Sequence, residues 1–443
     1  MKTIRNVGIV EHSAYTASIP GSKSYTNRAL VVAAQRMGTT RVKNALICDD
    51  TRYLAQALDK FGGLHVEQVG GDFVVHRDAE HLTAPSEPLY VGGAGTPARF
   101  LLAFAAAAEG QTTVTGNARL SERPMGDLLD SLARVGVPFV CKDRPGCLPV
   151  AIRGARPKNF HWRVNGTVSS QFLSSLLLFA AQQDSDRVEI AVEGGLVSRP
   201  YVRMTLAMLC DVGIDARETD SLRFVVVPGR PQRDEITIEP DASGMSYLLT
   251  AAAITRSTVT IPGIGSDSAQ GDVGLVNAYA RMGCKVKMDS TGITLTGGEL
   301  GGIDIDMETM PDVVLSLAIA ATQANSPTYV YNIANLRVKE CDRIAAICDG
   351  LHRLGIQAEQ GPDWVRIHPG RPASGMVKTF DDHRVAMAFS LFALLYDGIT
   401  LDDYDCVTKS FPGFWTEMGR FCDHVLGETR KAHDTQMATA VTA

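Results

Sequence analysis

Six stretches of the chain are apolar on nearly every face, and each follows a short polar or glycine-bearing start. They are SKSYTNRALVVAA from Ser22, AGTPARFLLAFAAAA from Ala94, VSSQFLSSLLLFAA from Val168, DASGMSYLLTAAA from Asp241, MPDVVLSLAIAA from Met310 and DDHRVAMAFSLFAL from Asp381. A helix that is apolar all round has no face for solvent, so these runs predict six helices buried on all sides. With Ser22, Gly95, Ser169, Ser243, Pro311 and His383 taken as equivalent points, the spacings are 73, 74, 74, 68 and 72 residues, the mark of a sixfold internal repeat.

A second pattern runs in phase with the first. A charged, helix-like segment ends in a bulky residue and a glycine, as LDKFGG, LARVGV, LCDVGI, YARMGC and LHRLGI. Gly62, Gly136, Gly213, Gly283 and Gly355 are therefore expected in the left-handed position just past a helix end. Alternating apolar sequence follows, such as Phe73-Val74-Val75 or Val365-Arg366-Ile367, and predicts paired short strands. Each unit reads as strand, helix, strand, helix and two strands, with the second helix (127–135 or 343–354, for example) on the outside. Six buried helices are too many for one core of ordinary size, so the repeats divide into two sets of three. Ile19-Pro20-Gly21 and Ile238-Glu239-Pro240-Asp241 interrupt strand-like sequence with Pro and Gly and are the expected crossovers. The fold class is then α/β with two domains, 21–238 and 1–20 plus 239–430, each of three βαβαββ repeats around buried central helices. Residues 431–443 lack apolar periodicity and are expected to be a flexible tail.

Composition agrees and excludes other classes. The chain has 443 residues, 45% of them apolar, enough for more than one core. Lysine and arginine total 43 against 49 acids, a formal charge of −6 that argues against a non-specific nucleic-acid protein. The longest apolar runs fall short of the roughly 20 residues that span a bilayer, and residues 1–11 do not resemble a secretory signal, so a cytoplasmic protein without membrane association is expected. Nine cysteines with no CxxC, and Cys141 and Cys147 without zinc-knuckle spacing, predict buried free thiols.

Chemistry gathers at the six helix starts. Unpaired N–H groups there, with the positive end of the helix dipole, make an anion site wherever several starts converge. Lys23, Ser24 and Arg28 lie in the first start, Gly95, Thr96 and Arg99 in the second, Ser169, Ser170 and Gln171 in the third, Asp312 in the fifth, and Asp381, Asp382, His383 and Arg384 in the sixth. Between the helices come Arg123, Ser198, Arg199, Lys339, Glu340, Arg343 and Lys409. Simpler readings stand beside these. Ser243 reads as an N-cap, Asp312 as a first-turn acid, Glu340 and Arg343 as a surface pair, Cys341 as a packed thiol and His383 as a cap. The concentration of cations in a net acidic chain favours small substrates carrying several carboxylates or phosphates. No GxxxxGK[ST] is present, the GIG at 263–265 is not continued, and no His/Cys/Asp cluster has metal spacing.

PGSKSYTNR, AGTPAR, SERP, VSSQFL, LVSRPY, MPD, NLRVKECDR, DDHR and TKSFP occur together, in order, over nearly the whole chain. In them the sequence resembles the 5-enolpyruvylshikimate-3-phosphate synthase family of enolpyruvyl transferases. The resemblance implies an inverse α/β barrel in each domain and a hinge at the crossovers. It implies transfer of the enolpyruvyl group of phosphoenolpyruvate to the 5-hydroxyl of shikimate 3-phosphate by addition and elimination, with no metal or cofactor, in a monomer. By position, Lys23, Ser24 and Arg28 would hold the shikimate end and Ser169, Ser170 and Ser198 its phosphate, with Gln171, Asp312, Asn335 and Lys339 completing that site. Phosphoenolpyruvate would meet Lys23, Gly95, Arg123, Gln171, Arg343, Arg384 and Lys409. Asp312 would take the hydroxyl proton, Glu340 would protonate the methylene, and Lys23 would join them as a catalytic residue. Domain closure would expel water from the reacting groups.

The family commonly has Asn in its GNAGT loop, where this chain has Gly93, and Ala at the position of Pro97. Rival readings are the UDP-N-acetylglucosamine enolpyruvyl transferases, another relative acting on a different alcohol, or an inactive phosphometabolite-binding module. No cysteine lies between Cys48 and Cys141, so the loop around Arg123 lacks the cysteine acid of the first rival. Lys23, Asp312 and Glu340, which an inactive module would be expected to lose, are all present.

Overall fold

A computed structural model describes residues 14–425. The expected tail at 431–443 and the N-terminal residues 1–11 lie outside it. The described residues divide into two compact units, one of residues 20–239 and one of residues 14–19 with 240–425.

In the first unit the apolar runs form helices α1 (Lys23–Ala33), α2 (Gly95–Ala105) and α3 (Ser170–Ala180). Alanine and leucine favour the helix, and nearly every side chain past the first turn is buried, as the all-round apolar pattern requires. Ser22 and Ser169 cap α1 and α3, accepting bonds from Tyr25 N and Gln171 N. Gln35 Nε2 donates to the Leu178 carbonyl at 3.0 Å, which fastens the segment after α1 to α3. Three four-stranded sheets surround the helices. In each a parallel pair is followed by two antiparallel strands, the pattern that a βαβ crossover plus a hairpin produces. The leading strand of the first sheet is Glu235–Thr237, which pairs in parallel with Gly38–Lys43 and so closes the unit with its own last strand.

The second unit repeats this plan with α4 (Ala242–Thr255), α5 (Val314–Thr322) and α6 (His383–Ser390). Its leading strand comes from the start of the chain: Tyr15–Thr16 pairs in parallel with Thr258–Pro262. Buried Glu417 holds that strand, accepting from Tyr15 Oη at 2.9 Å and Ser18 N at 2.8 Å.

Four details differ from the sequence expectation. The sixth repeat has only a two-stranded sheet, Gly375–Val377 with Ile399–Leu401, because helical turns follow Leu401 where the antiparallel pair would stand. In the first repeat the left-handed residue is Gly63 (φ +91°), not Gly62; Gly62 is held in an antiparallel bridge to Thr83, whereas Gly136, Gly213, Gly283 and Gly355 all have positive φ. All nine cysteines are free thiols, but only five are buried: Cys141, Cys341 and Cys422 are partly exposed and Cys210 is exposed. Asp241, not Ser243, caps α4, and Asp382, not His383, caps α6. No helix among the described residues is long and apolar enough to cross a membrane.

Candidate active site

In the unit of residues 20–239 the polar starts of α1, α2 and α3 carry the expected residues. Lys23 opens α1 and its Nζ lies 3.1 Å from Asp50 Oδ2, both side chains largely buried. Ser24 is half-buried on the same turn, and its carbonyl accepts from Arg28 Nη1 at 2.8 Å. Arg28 is 1% exposed; its other bonds go to Thr205 Oγ1 (2.7 Å), the Tyr201 carbonyl (2.8 Å) and Ser174 Oγ (3.4 Å). These partners are neutral, and burial pulls its pKa down to about 10. Tyr201 and Thr205 belong to the helix Arg199–Asp211, so Arg28 ties α1 to the helix whose N-cap position is Ser198. Ser198 has left-handed backbone (φ 52°).

Gly95 lies against Arg123, and Gln171 bonds to residues that follow Gly95 on α2. A Cβ on Gly95 would stand 2.7 Å from Arg123 Nη1, so only glycine lets that guanidinium lie across the start of α2. Gln171 Nε2 donates to Thr96 Oγ1 at 2.9 Å, and its Oε1 accepts from Arg99, which also donates to the Pro124 carbonyl at 3.0 Å. Ser169 and Ser170 stand at the cap and first residue of α3.

The other unit holds a denser cluster, at the starts of α4, α5 and α6. Asp312 lies in the turn Pro311–Val313 that leads into α5. Arg384 Nη2 reaches its Oδ2 at 3.0 Å, while Arg343 Nη1 (3.1 Å) and Lys339 Nζ (3.3 Å) share its Oδ1. Burial alone would raise the pKa of Asp312, but Arg384, Lys339 and Arg343 outweigh it and hold the carboxyl well below the usual carboxylate range. Glu340 Oε2 accepts from Arg343 Nη2 at 2.9 Å, and Lys409 Nζ lies 3.7 Å from its Oε1. One guanidinium thus bridges the two carboxylates. Arg343 is 1% exposed, so its pair with Glu340 is buried chemistry and not a surface i,i+3 pair. Asn335 sits in the short helix Ala334–Val338 that leads to Lys339. Cys341 donates to Asp382 Oδ2 at 3.5 Å, and burial pushes its thiol far up, which leaves it a packed thiol.

Two carboxylates in these networks, Asp50 and Asp272, are not singled out in the sequence, whereas Asp382 already stands among the residues of the sixth helix start. Asp50 pairs with Lys23, Asp382 with Arg343, and Asp272 accepts from the Ser243 hydroxyl. Burial first, then the charge of Asp312, pushes Asp272 up to about 7. The repeat itself carries a signal for Asp50 and Asp272. Asp50 follows Ser22 by 28 residues and Asp272 follows Ser243 by 29, each at the start of the second helix of its unit.

A family model described as EPSP synthase (3-phosphoshikimate 1-carboxyvinyltransferase) matches residues 13–418. The chain is 38% identical over 422 residues to a 3-phosphoshikimate 1-carboxyvinyltransferase of Nostoc sp., covering 92% of this chain and 96% of that protein. It is 41% identical over 415 residues to one of Cupriavidus necator, covering 90% and 95%. Among solved structures, an EPSP synthase from Acinetobacter baumannii superposes with a TM-score of 0.77 at 27% identity, over 94% of this chain and 97% of that one. The enolpyruvyl transferase NikO from Streptomyces tendae shares the fold, with a TM-score of 0.73 at 18% identity over 94% and 95%.

Proposed function

The chain belongs to the EPSP synthase family, and from that premise we propose that it transfers the enolpyruvyl group of phosphoenolpyruvate to the 5-hydroxyl of shikimate 3-phosphate, with release of inorganic phosphate. The observation that carries the reading is Arg343, a buried cation that joins Asp312 to Glu340. The reaction needs a base for the 5-hydroxyl and an acid for C3 of phosphoenolpyruvate, and two carboxylates in unlike surroundings supply such a pair.

Asp312 takes the hydroxyl proton as the 5-oxygen attacks C2, and Glu340 gives a proton to C3. The C2–oxygen bond to phosphate then breaks while the methyl group gives up a proton to one of the two carboxylates. A carboxylate held by three cations is a weak base in the unliganded protein. Substrate anions that draw on Arg343, Arg384 and Lys339 weaken that hold and raise the basicity of Asp312 when both substrates are present. Phosphoenolpyruvate is taken by Lys23, Gly95, Arg123, Gln171, Arg343, Arg384 and Lys409. Lys23, Ser24 and Arg28 hold the shikimate end, Ser169, Ser170 and Ser198 its phosphate, and Gln171, Asp312, Asn335 and Lys339 complete that site. The starts of α1 and α3 favour anions, which suits phosphate at Ser169 and Ser170.

The test is phosphate release from shikimate 3-phosphate and phosphoenolpyruvate without added metal or nucleotide. Steady turnover with formation of the enolpyruvyl ether is expected; no release, or release that does not need shikimate 3-phosphate, would reject the assignment. The same reading takes the protein as a cytoplasmic monomer, and sedimentation equilibrium checks its mass in solution.

A further inference from the structure

Asp272 has no part in the chemistry above, yet it is 4% exposed and lies in the one-turn helix Gly271–Gly274, against the start of α4. The turn that carries it is fastened. Two residues earlier, Gln270 accepts from Ala242 N at 3.1 Å and donates to the Pro240 carbonyl at 2.7 Å. The hydroxyl of Ser243 donates to Asp272 Oδ2, which fixes the direction of its proton and leaves its lone pairs for other donors. Arg384 Nη2 takes that place at 3.2 Å, and the same nitrogen reaches Asp312 Oδ2 at 3.0 Å. One guanidinium nitrogen thus serves both Ser243 and Asp312.

We propose that Asp272 is a positioning residue: by orienting the Ser243 hydroxyl it sets how Arg384 is presented to phosphoenolpyruvate, and so acts on binding of that substrate more than on that of shikimate 3-phosphate. The inference rests on the reading that Arg384 takes phosphoenolpyruvate. With Asn at 272 the acceptor loses its charge and one of its two oxygens becomes a donor group, so the hydroxyl is held less firmly and can turn its proton toward Arg384, which repels the guanidinium and loosens its register with Asp312. The first repeat offers a parallel, since Asp50 at the corresponding place reaches back to Lys23 at the start of α1. A buried acid at this place therefore serves the start of the preceding helix in both repeats. The charged groups that act on Asp272 are Asp241 from the cap of α4, Asp312 from the turn before α5 and Arg384 from α6.

The test compares Asp272→Asn, Ser243→Ala and the double variant with the wild type in the phosphate-release assay, beside urea unfolding of each. An inactive wild type rejects the assigned reaction and not this inference. With an active wild type, each single variant is expected to raise KM for phosphoenolpyruvate roughly three- to tenfold, the worth of one ordinary hydrogen bond, with KM for shikimate 3-phosphate changed less than about twofold. The double variant should be no worse than the poorer single one, because both act through one chain of bonds. Unchanged constants, equal shifts in both KM values, or additive effects in the double variant would overturn the proposal. If Asp272→Asn does not fold, Ser243→Ala decides by the same two constants.

Discussion

Arg343 and Asp382 form a two-point pair sealed from solvent: Nε lies 2.8 Å from Oδ2 and Nη2 3.2 Å from Oδ1, with Asp382 wholly buried. The same aspartate caps α6 through Arg384 N at 2.9 Å. One carboxylate therefore fixes the arginine that bridges Asp312 and Glu340 and the helix that carries Arg384.

Asp382→Ala is expected to destabilise the protein by about 3 kcal/mol or more, since it leaves a buried guanidinium short of a partner and removes a helix cap. Asp382→Asn keeps the cap oxygen and should cost clearly less. Urea unfolding of the two variants measures both. Stabilities equal to that of the wild type would mean that the pair does not support the fold.

Asp312→Asn and Glu340→Gln are expected to fold and to lose turnover by roughly 10² or more, the usual worth of general acid–base catalysis. Glu340→Gln should bind shikimate 3-phosphate normally, while Asp312→Asn also weakens that binding. Steady-state kinetics with isothermal titration separates the two. A near-normal rate in either variant would remove that residue from the reaction.

Gly95→Ala places a methyl group against the Arg123 guanidinium, 2.9 Å from Cζ. The guanidinium is the end of a flexible side chain and can move aside, so stability should change little. On the proposed assignment of Arg123 to phosphoenolpyruvate, its displacement loosens a charged hydrogen bond to that substrate, and KM for it should rise roughly tenfold or more. An unchanged KM would show that Arg123 is not held at this place when substrate binds.

Asp272 and Asp312 predict opposite responses of stability to pH. Asp272 is raised to about 7 when folded, against about 3.9 in an unfolded chain. Between those values the folded state holds a proton that the unfolded state has lost, so its contribution to stability falls as pH rises through that window and is level above it. Asp312 is depressed, so its contribution is complete above about pH 4 and is lost only on further acidification. Urea midpoints at about pH 5 and pH 7.5 check this. Asp272→Asn should gain on the wild type as pH rises; parallel curves for Asp272→Asn and wild type would contradict the raised value.

The sequence by itself determined the fold class, because a helix apolar on every face can only be interior and six of them at one spacing imply a repeated α/β unit. It also carried the family motifs at Lys23, Gly95, Ser169, Asp312 and Arg384, since those residues stand at helix starts that the repeat already locates. Tertiary structure alone decided which cation faces which carboxylate. Arg384 reaches Asp312 across 72 residues and Ser243 across 141, one and two repeats away, and the repeat places all three near helix starts without recording which side chains meet. For the same reason Ser243 passed for an N-cap. Its φ/ψ preferences suit a helix start, but its hydroxyl is taken by Asp272, 29 residues away, while Asp241 supplies the cap. Gly62 and Gly63 are alike as local sequence, and only the bridge to Thr83 sets which of them turns left-handed. Periodicity reports which side of an element meets the core; the pairing of buried charges depends on how several elements meet, and that is settled only when the helices pack.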